Sequence, residues 1–93
     1  MTTQDEEPAV IIYPAEGELV TSPFKMRGTG TPNRRANVFD MRDHLKPMLT
    51  TNVRGDGTWE GEVTLKGPER YKVFTKVMIP GGAAGPTRTF LVN

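Results

Sequence analysis

The chain has no cysteine, one histidine and one serine, and these scarcities limit the chemistry it can perform. Without cysteine there is no disulfide framework and no thiolate nucleophile. His44 and Ser22 stand alone, so they offer no set of nucleophile, base and orienting group. Scattered carboxylates such as Asp40 and Asp43 do not make a metal site. We therefore expect no catalysis, no bound metal and no cofactor.

Long apolar segments are missing as well. No run approaches the ~18 apolar residues of a membrane-spanning helix, so membrane insertion is not expected. The N-terminus carries Asp5, Glu6 and Glu7 where a signal peptide would have basic and then apolar residues. Residues 1–7 are predicted to form a flexible acidic leader, followed by a single domain at residues 8–93.

Glycine and proline are abundant instead, with ten and eight residues, and they separate short alternating segments. No stretch has a convincing helical period. About seven short strands are predicted, and the frequency of turn signals is typical of a β-sandwich. The predicted strands cover residues 9–13 with a short continuation at 19–20, then 24–29, 37–42, 49–53, 59–65, 70–79 and 87–92.

Two segments resemble the paired signatures of bacterial immunoglobulin-like domains. Residues 24–32, F-K-M-R-G-T-G-T-P, read as a strand followed by the G-T-G-x-P corner of that family. Residues 56–59, D-G-T-W, match the turn that opens a later strand, and Asp-Gly is a strong hairpin signal. The resemblance spans residues 8–93 and implies an all-β immunoglobulin-like sandwich of about seven antiparallel strands without a disulfide. It also implies a setting on a bacterial cell surface or a phage virion.

Alternation within the strands predicts the core. Trp59, the only tryptophan, is placed at its centre, and Tyr71 fits a tyrosine corner whose hydroxyl ties down a neighbouring loop. In the strand at 37–42 either Val38 or Phe39 faces inward, and the family pattern favours Val38. The predicted core consists of Phe24, Met26, Trp59, Val63, Leu65, Tyr71, Val73 and Val77.

The longest predicted strand is apolar on both faces, with Phe74 and Met78 on the side that a sandwich strand normally turns to solvent. These two residues could form an exposed stripe that docks onto a protein partner, such as a capsid, a tail or a neighbouring module. The alternative is that a loop such as residues 43–48 folds over them. The sequence alone leaves both alternatives open.

Arg34, Arg35 and Arg54 are a second candidate site. The segment N-R-R-A stands where the family commonly has glycine and a small residue, and forked guanidinium donors could bind the anionic groups of a cell-surface glycan. The alternative is solvated loop charge. Residues 54–56 also spell Arg-Gly-Asp, but Asp56 and the following Gly57 are what the turn itself demands, so no integrin role is expected. Nucleic acid is not expected, because Phe74 is the only aromatic residue that could partner Lys72 and Lys76 on an open face.

Charge is distributed unevenly along the chain. Residues 1–18 carry five carboxylates and no basic residue, whereas all twelve basic residues lie in the remainder. Together these features predict a non-catalytic adhesion, display or structural module that acts by protein–protein or surface attachment. The alternative is a carbohydrate- or polyanion-binding module that uses the basic loops, and a pure spacer is the third hypothesis.

Overall fold

In the computed structural model, residues 9–78 and 84–93 are described, and they form eight β-strands and no helix. The all-β class predicted from the sequence is confirmed. The predicted leader at 1–7, Ile79 and residues 80–83 lie outside the described residues. The strands are β1 (Val10–Tyr13), β2 (Leu19–Val20), β3 (Phe24–Thr29), β4 (Arg35–Asp40), β5 (Leu49–Asn52), β6 (Thr58–Val63), β7 (Glu69–Val77) and β8 (Arg88–Val92).

The strands form the two sheets of an immunoglobulin-like β-sandwich. One sheet has the order β1-β3-β6 and the other the order β2-β8-β7-β4-β5. All pairs are antiparallel except β2 with β8, where Leu19 lies opposite Leu91 in a parallel register. The prediction of about seven strands agrees with the eight observed, and the one departure in strand pairing is that a single pair is parallel.

The parallel pair arises because the chain crosses from one sheet to the other between β1 and β2. Gly17 adopts a left-handed backbone conformation with φ of 79°, and its N–H donates to the Thr89 carbonyl at 2.7 Å. Leu91 N then donates to Glu18 O at 2.8 Å, which aligns β2 alongside β8. The short continuation at 19–20 is thus a separate strand in the second sheet.

The third predicted strand is displaced by two residues. It was expected at 37–42 but runs from Arg35 to Asp40, because Asp43 N donates to Asp40 O and turns the chain. Val38 is fully buried between the sheets, as the family pattern favoured. Phe39 is buried on the opposite face, against β7.

Both sheets contribute to one core around Trp59, whose indole Nε1 donates to Thr29 O at 3.0 Å. Gly28 lies opposite Trp59 in the neighbouring strand. A Cβ at position 28 would overlap both the Trp59 ring and the Val10 carbonyl, so this pairing requires glycine. Among the predicted core residues Leu65 is partly buried, and the buried ones are Phe24, Met26, Trp59, Val63, Tyr71, Val73 and Val77.

Two side chains tie loops and strands to this core. The Tyr71 hydroxyl donates to the Lys66 carbonyl at 2.8 Å, which is the contact that a tyrosine corner makes, and burial raises the pKa of Tyr71. Arg88, on β8, donates to the Ile11 carbonyl on β1. This bond joins the two sheets directly.

Candidate functional site

The β4–β5 loop, residues 41–48, is anchored where it leaves β4. The Arg42 guanidinium donates to both carboxylate oxygens of Asp40, at 3.1 and 2.9 Å, and lies 2.7 Å from Glu69. It also stacks over the Tyr71 ring, 5.4 Å from the centroid. The hydrogen bonds from Arg42 lower the pKa of Asp40, and those that Arg42 makes to Asp40 and Glu69 raise its own pKa. The loop therefore starts from a fixed point on the core.

The tip of the loop is ordered by Asp43 and His44. The Asp43 carboxylate accepts hydrogen bonds from the backbone N–H groups of Leu45 and Lys46, at 3.0 and 3.3 Å, as in an Asx turn. His44 Nε2 donates to the Met41 carbonyl at 2.9 Å. Between these contacts the side chain of Leu45 points outward and is 94% exposed. It is the most exposed large apolar side chain among the described residues.

Phe74 lies beneath the same loop. Its ring stacks on Phe39 with centroids 5.4 Å apart, and the His44 ring packs edge-on against it at 5.1 Å. Phe74 is consequently only 8% exposed, whereas Met78 is 48% exposed. The loop therefore covers Phe74, as one alternative predicted, whereas Met78 is exposed, as the other predicted.

A shallow cleft of about 190 Å³ opens at the base of the loop. Its surface is mostly apolar, and it is lined by Met41, His44, Phe74, Ala84, Gly85 and Thr87. Leu45 thus protrudes from a loop whose own residues form one wall of a recess. Sequence reasoning did not single out Leu45, because one leucine between turn residues has no periodicity. The only signal was a bulky apolar residue between Asp43 and Pro47.

The three candidate arginines are divided between two places. Val53 N donates to Arg34 O at 2.7 Å, so the loops that carry Arg34 and Arg54 are neighbours. The Arg54 side chain donates to the Thr58 hydroxyl at 3.2 and 3.0 Å and lies 3.7 Å from Glu60. Arg54 is therefore already held by a hydroxyl and a carboxylate on the three-stranded sheet.

Arg35 belongs to the other sheet. Its carbonyl accepts a hydrogen bond from Met78 N at 2.8 Å, and its side chain is exposed at the start of β4. The structure thus brings together two of the predicted site residues, Arg35 and Met78, and places Arg54 elsewhere.

The Arg-Gly-Asp tripeptide forms part of the hairpin between β5 and β6. The Asp56 carboxylate accepts hydrogen bonds from the Thr58 hydroxyl and backbone N–H, at 2.6 and 3.0 Å, and these bonds lower the pKa of Asp56. Gly57 has φ of 85° and donates its N–H to Arg54 O at 2.9 Å. Both charged side chains of the tripeptide converge on Thr58, so the hairpin accounts for Arg54 and Asp56.

Within residues 9–78 and 84–93, no group of three or more His, Asp or Glu side chains is placed to hold a metal ion. The same part of the chain contains no helix that is long and apolar enough to cross a membrane.

No family model and no curated protein matches this chain, but solved structures do. The fibronectin(III)-like modules of Clostridium thermocellum CbhA superpose with a TM-score of 0.64 at 12% identity, over 91% of this chain and 45% of that chain. An engineered protein gives 0.65 at 17% identity, over 94% of this chain and 20% of its own. CopC from Methylosinus trichosporium OB3b gives 0.56 at 11% identity, over 91% and 93%. These similarities show a small immunoglobulin-like β-sandwich module.

Proposed function

We propose that this chain is a non-catalytic attachment module that docks onto a protein partner through the β4–β5 loop, with Leu45 as the central contact. The observation that carries the proposal is the 94% exposure of a leucine on a loop fixed by hydrogen bonds. Burying one leucine side chain stabilises a complex by roughly 1.5–3 kcal/mol. Because the loop is already ordered, little of that gain is lost to ordering it.

The roles of the scarce polar side chains support a non-catalytic module. The Ser22 hydroxyl accepts a hydrogen bond from Leu65 N at 2.9 Å, and His44 donates to the Met41 carbonyl. Both side chains thus fix loops. The fold also occurs as part of longer chains, since this chain spans 45% of the CbhA structure and 20% of the engineered protein.

The setting that the sequence resemblance implies is a bacterial surface or a phage virion. In that setting the partner would be a capsid, a tail or a neighbouring module, and the loop would insert Leu45 into a recess of that partner. The cleft beside the loop would receive a side chain in return. Interfaces of this kind place an apolar contact at the centre of a polar rim.

The test is binding of the purified module to intact cells and to assembled virions of its source, at low and high salt. We expect retention that survives high salt, because an apolar contact is not screened. Leu45→Ser should weaken binding about 10- to 100-fold, which follows from the burial energy of one leucine. The matched control is Leu19→Ser, a leucine that is 60% exposed on β2 at the edge of the five-stranded sheet.

Three outcomes would contradict this proposal. An equal loss of binding affinity in Leu45→Ser and Leu19→Ser would show that Leu45 has no special part in binding. Binding that disappears in high salt would favour polyanion recognition by basic residues. No retention on cells or virions would favour a spacer.

A further inference from the structure

The outer faces of the two sheets differ in charge. On the three-stranded sheet, Lys25 lies opposite Glu62 and Arg27 opposite Glu60, so bases and acids alternate. On the five-stranded sheet, the outward strand positions carry bases and no carboxylate. The bases are Arg35 on β4 and Arg70, Lys72 and Lys76 on β7, which we call the basic face.

The cations of the basic face are exposed, and Phe74 takes the outward position between Lys72 and Lys76. Arg70, Lys72 and Lys76 alternate with buried residues along β7, so they project from the same side. Alternate residues of a strand lie about 7 Å apart, which gives the row a length of about 20 Å. The ion pairs between described side chains use Lys25, Arg42 and Arg54 as cations, and none includes a residue of the basic face.

We propose that the basic face binds a linear acidic polysaccharide that lies along β7. Four exposed cations, on a face whose outward strand positions carry no carboxylate, attract a polymer that carries repeated anionic groups. Three cations along β7, with Arg35 beyond them on β4, suit an extended chain whose anionic groups reach the cations on both sides of Phe74. Arg70 and Arg35, at the two ends, can each hold an anionic group with two parallel hydrogen bonds. This surface is separate from Leu45 and does not depend on the attachment proposed above.

Two other occupants fit the surface less well. Single-stranded nucleic acid binds where bases stack on exposed aromatic rings among the cations. The aromatic residue within the row is Phe74, and Phe39 and His44 cover it. A protein partner would need an apolar centre that is depleted in lysine. Here the lysines occupy the centre, and the exposed apolar residues Leu19, Leu91 and Met78 lie towards its edges.

The experiment measures the binding of heparin to the full chain by isothermal titration calorimetry at 50 to 200 mM salt. We take the slope of about −0.7 per neutralised charge that holds for single-stranded nucleic acid. Four cation–anion contacts then predict a slope of log K against log salt near −3, which is about 50-fold weaker binding across that range. The double variant Lys72→Gln/Lys76→Gln should roughly halve the slope. The matched control, Lys25→Gln/Arg27→Gln, removes the same charge from the other sheet and should leave the slope unchanged.

Equal losses of heparin affinity and of salt slope in the two double variants would overturn the proposal, because binding would then follow net charge alone. Absence of heparin binding at 50 mM salt would overturn it too, as would tighter binding of single-stranded oligothymidylate than of heparin. Leu45→Ser should bind heparin like the unaltered protein. Failure of this proposal and failure of the attachment proposal are therefore distinguishable.

Discussion

Arg42 shows how much one side chain does in this small domain. It donates two hydrogen bonds to the Asp40 carboxylate, forms an ion pair with Glu69 and lies over the Tyr71 ring. Tyr71 in turn holds the Lys66 carbonyl. The sequence predicted the role of Tyr71 from its position in a strand. It did not predict Arg42, because a turn that folds a side chain back by two residues leaves no periodic signal.

The Asp40–Arg42 contact predicts how stability depends on pH. The contact lowers the pKa of Asp40 in the folded state. A group of this kind contributes stability that is fully present above its unfolded pKa, about 4, and is lost as pH falls through the lower folded pKa. We expect the free energy of unfolding to decline below about pH 4, and Asp40→Asn to make that decline shallower. Urea denaturation at a series of acidic pH values measures this decline in the free energy of unfolding.

Arg42→Gln serves as the paired variant for this prediction. It removes the cause of the low pKa, so it should make the decline shallower by a similar amount, and combining it with Asp40→Asn should add little. Some decline will persist in both variants, because the Thr58 hydrogen bonds also lower the pKa of Asp56. An unaltered profile in Arg42→Gln would mean that the contact does not set the acid response.

At the scale of elements, strands bounded by glycine or proline were predicted well. The observed bounds of β2 and β3 match the predicted ones at 19–20 and 24–29. The strand at 37–42 was displaced, because the hydrogen bond from Asp43 N to Asp40 O turns the chain after Asp40. The coverage of Phe74 was left open, since it depends on how a distant loop packs rather than on local alternation. Leu45 was missed because a single leucine between turn residues has no periodicity.

The pairing of β3 with β6 supplies a prediction about packing. Gly28→Ala should destabilise the domain by about 1–3 kcal/mol or more, because the added Cβ overlaps the Trp59 ring and the Val10 carbonyl. Gly55→Ala is the control, since a Cβ at position 55 has no atom within 4 Å and the residue does not need a left-handed backbone. Chemical denaturation of both variants measures the difference. Equal stability of the two would show that β1 and β3 separate easily.

At the scale of the molecule, both sheets share one core. Strands β1, β3 and β6 of one sheet and β4, β7 and β8 of the other all contribute residues to the same buried cluster. The Arg88 bond to Ile11 adds a polar link between them. Such a core unfolds as a unit in a domain of this size.

We therefore expect one cooperative transition. The fluorescence of Trp59, which reports on the core, and far-UV circular dichroism, which reports on the strands, should give superimposable denaturation curves. An earlier transition by one of the two probes would indicate that the sheets separate before the strands unfold, and would contradict a single shared core.

The parallel pairing of β2 with β8 gives this domain a mechanical property. A force that pulled β1 away from the end of β8 would act on β2 and β8 in opposite directions along their common axis. The bonds from Leu91 N to Glu18 O and from Asn93 N to Val20 O, both 2.8 Å, would then be loaded together in shear. Antiparallel strands pulled from the same end unzip one bond at a time. A module that joins two surfaces through these strands would resist tension up to the rupture of the whole pair.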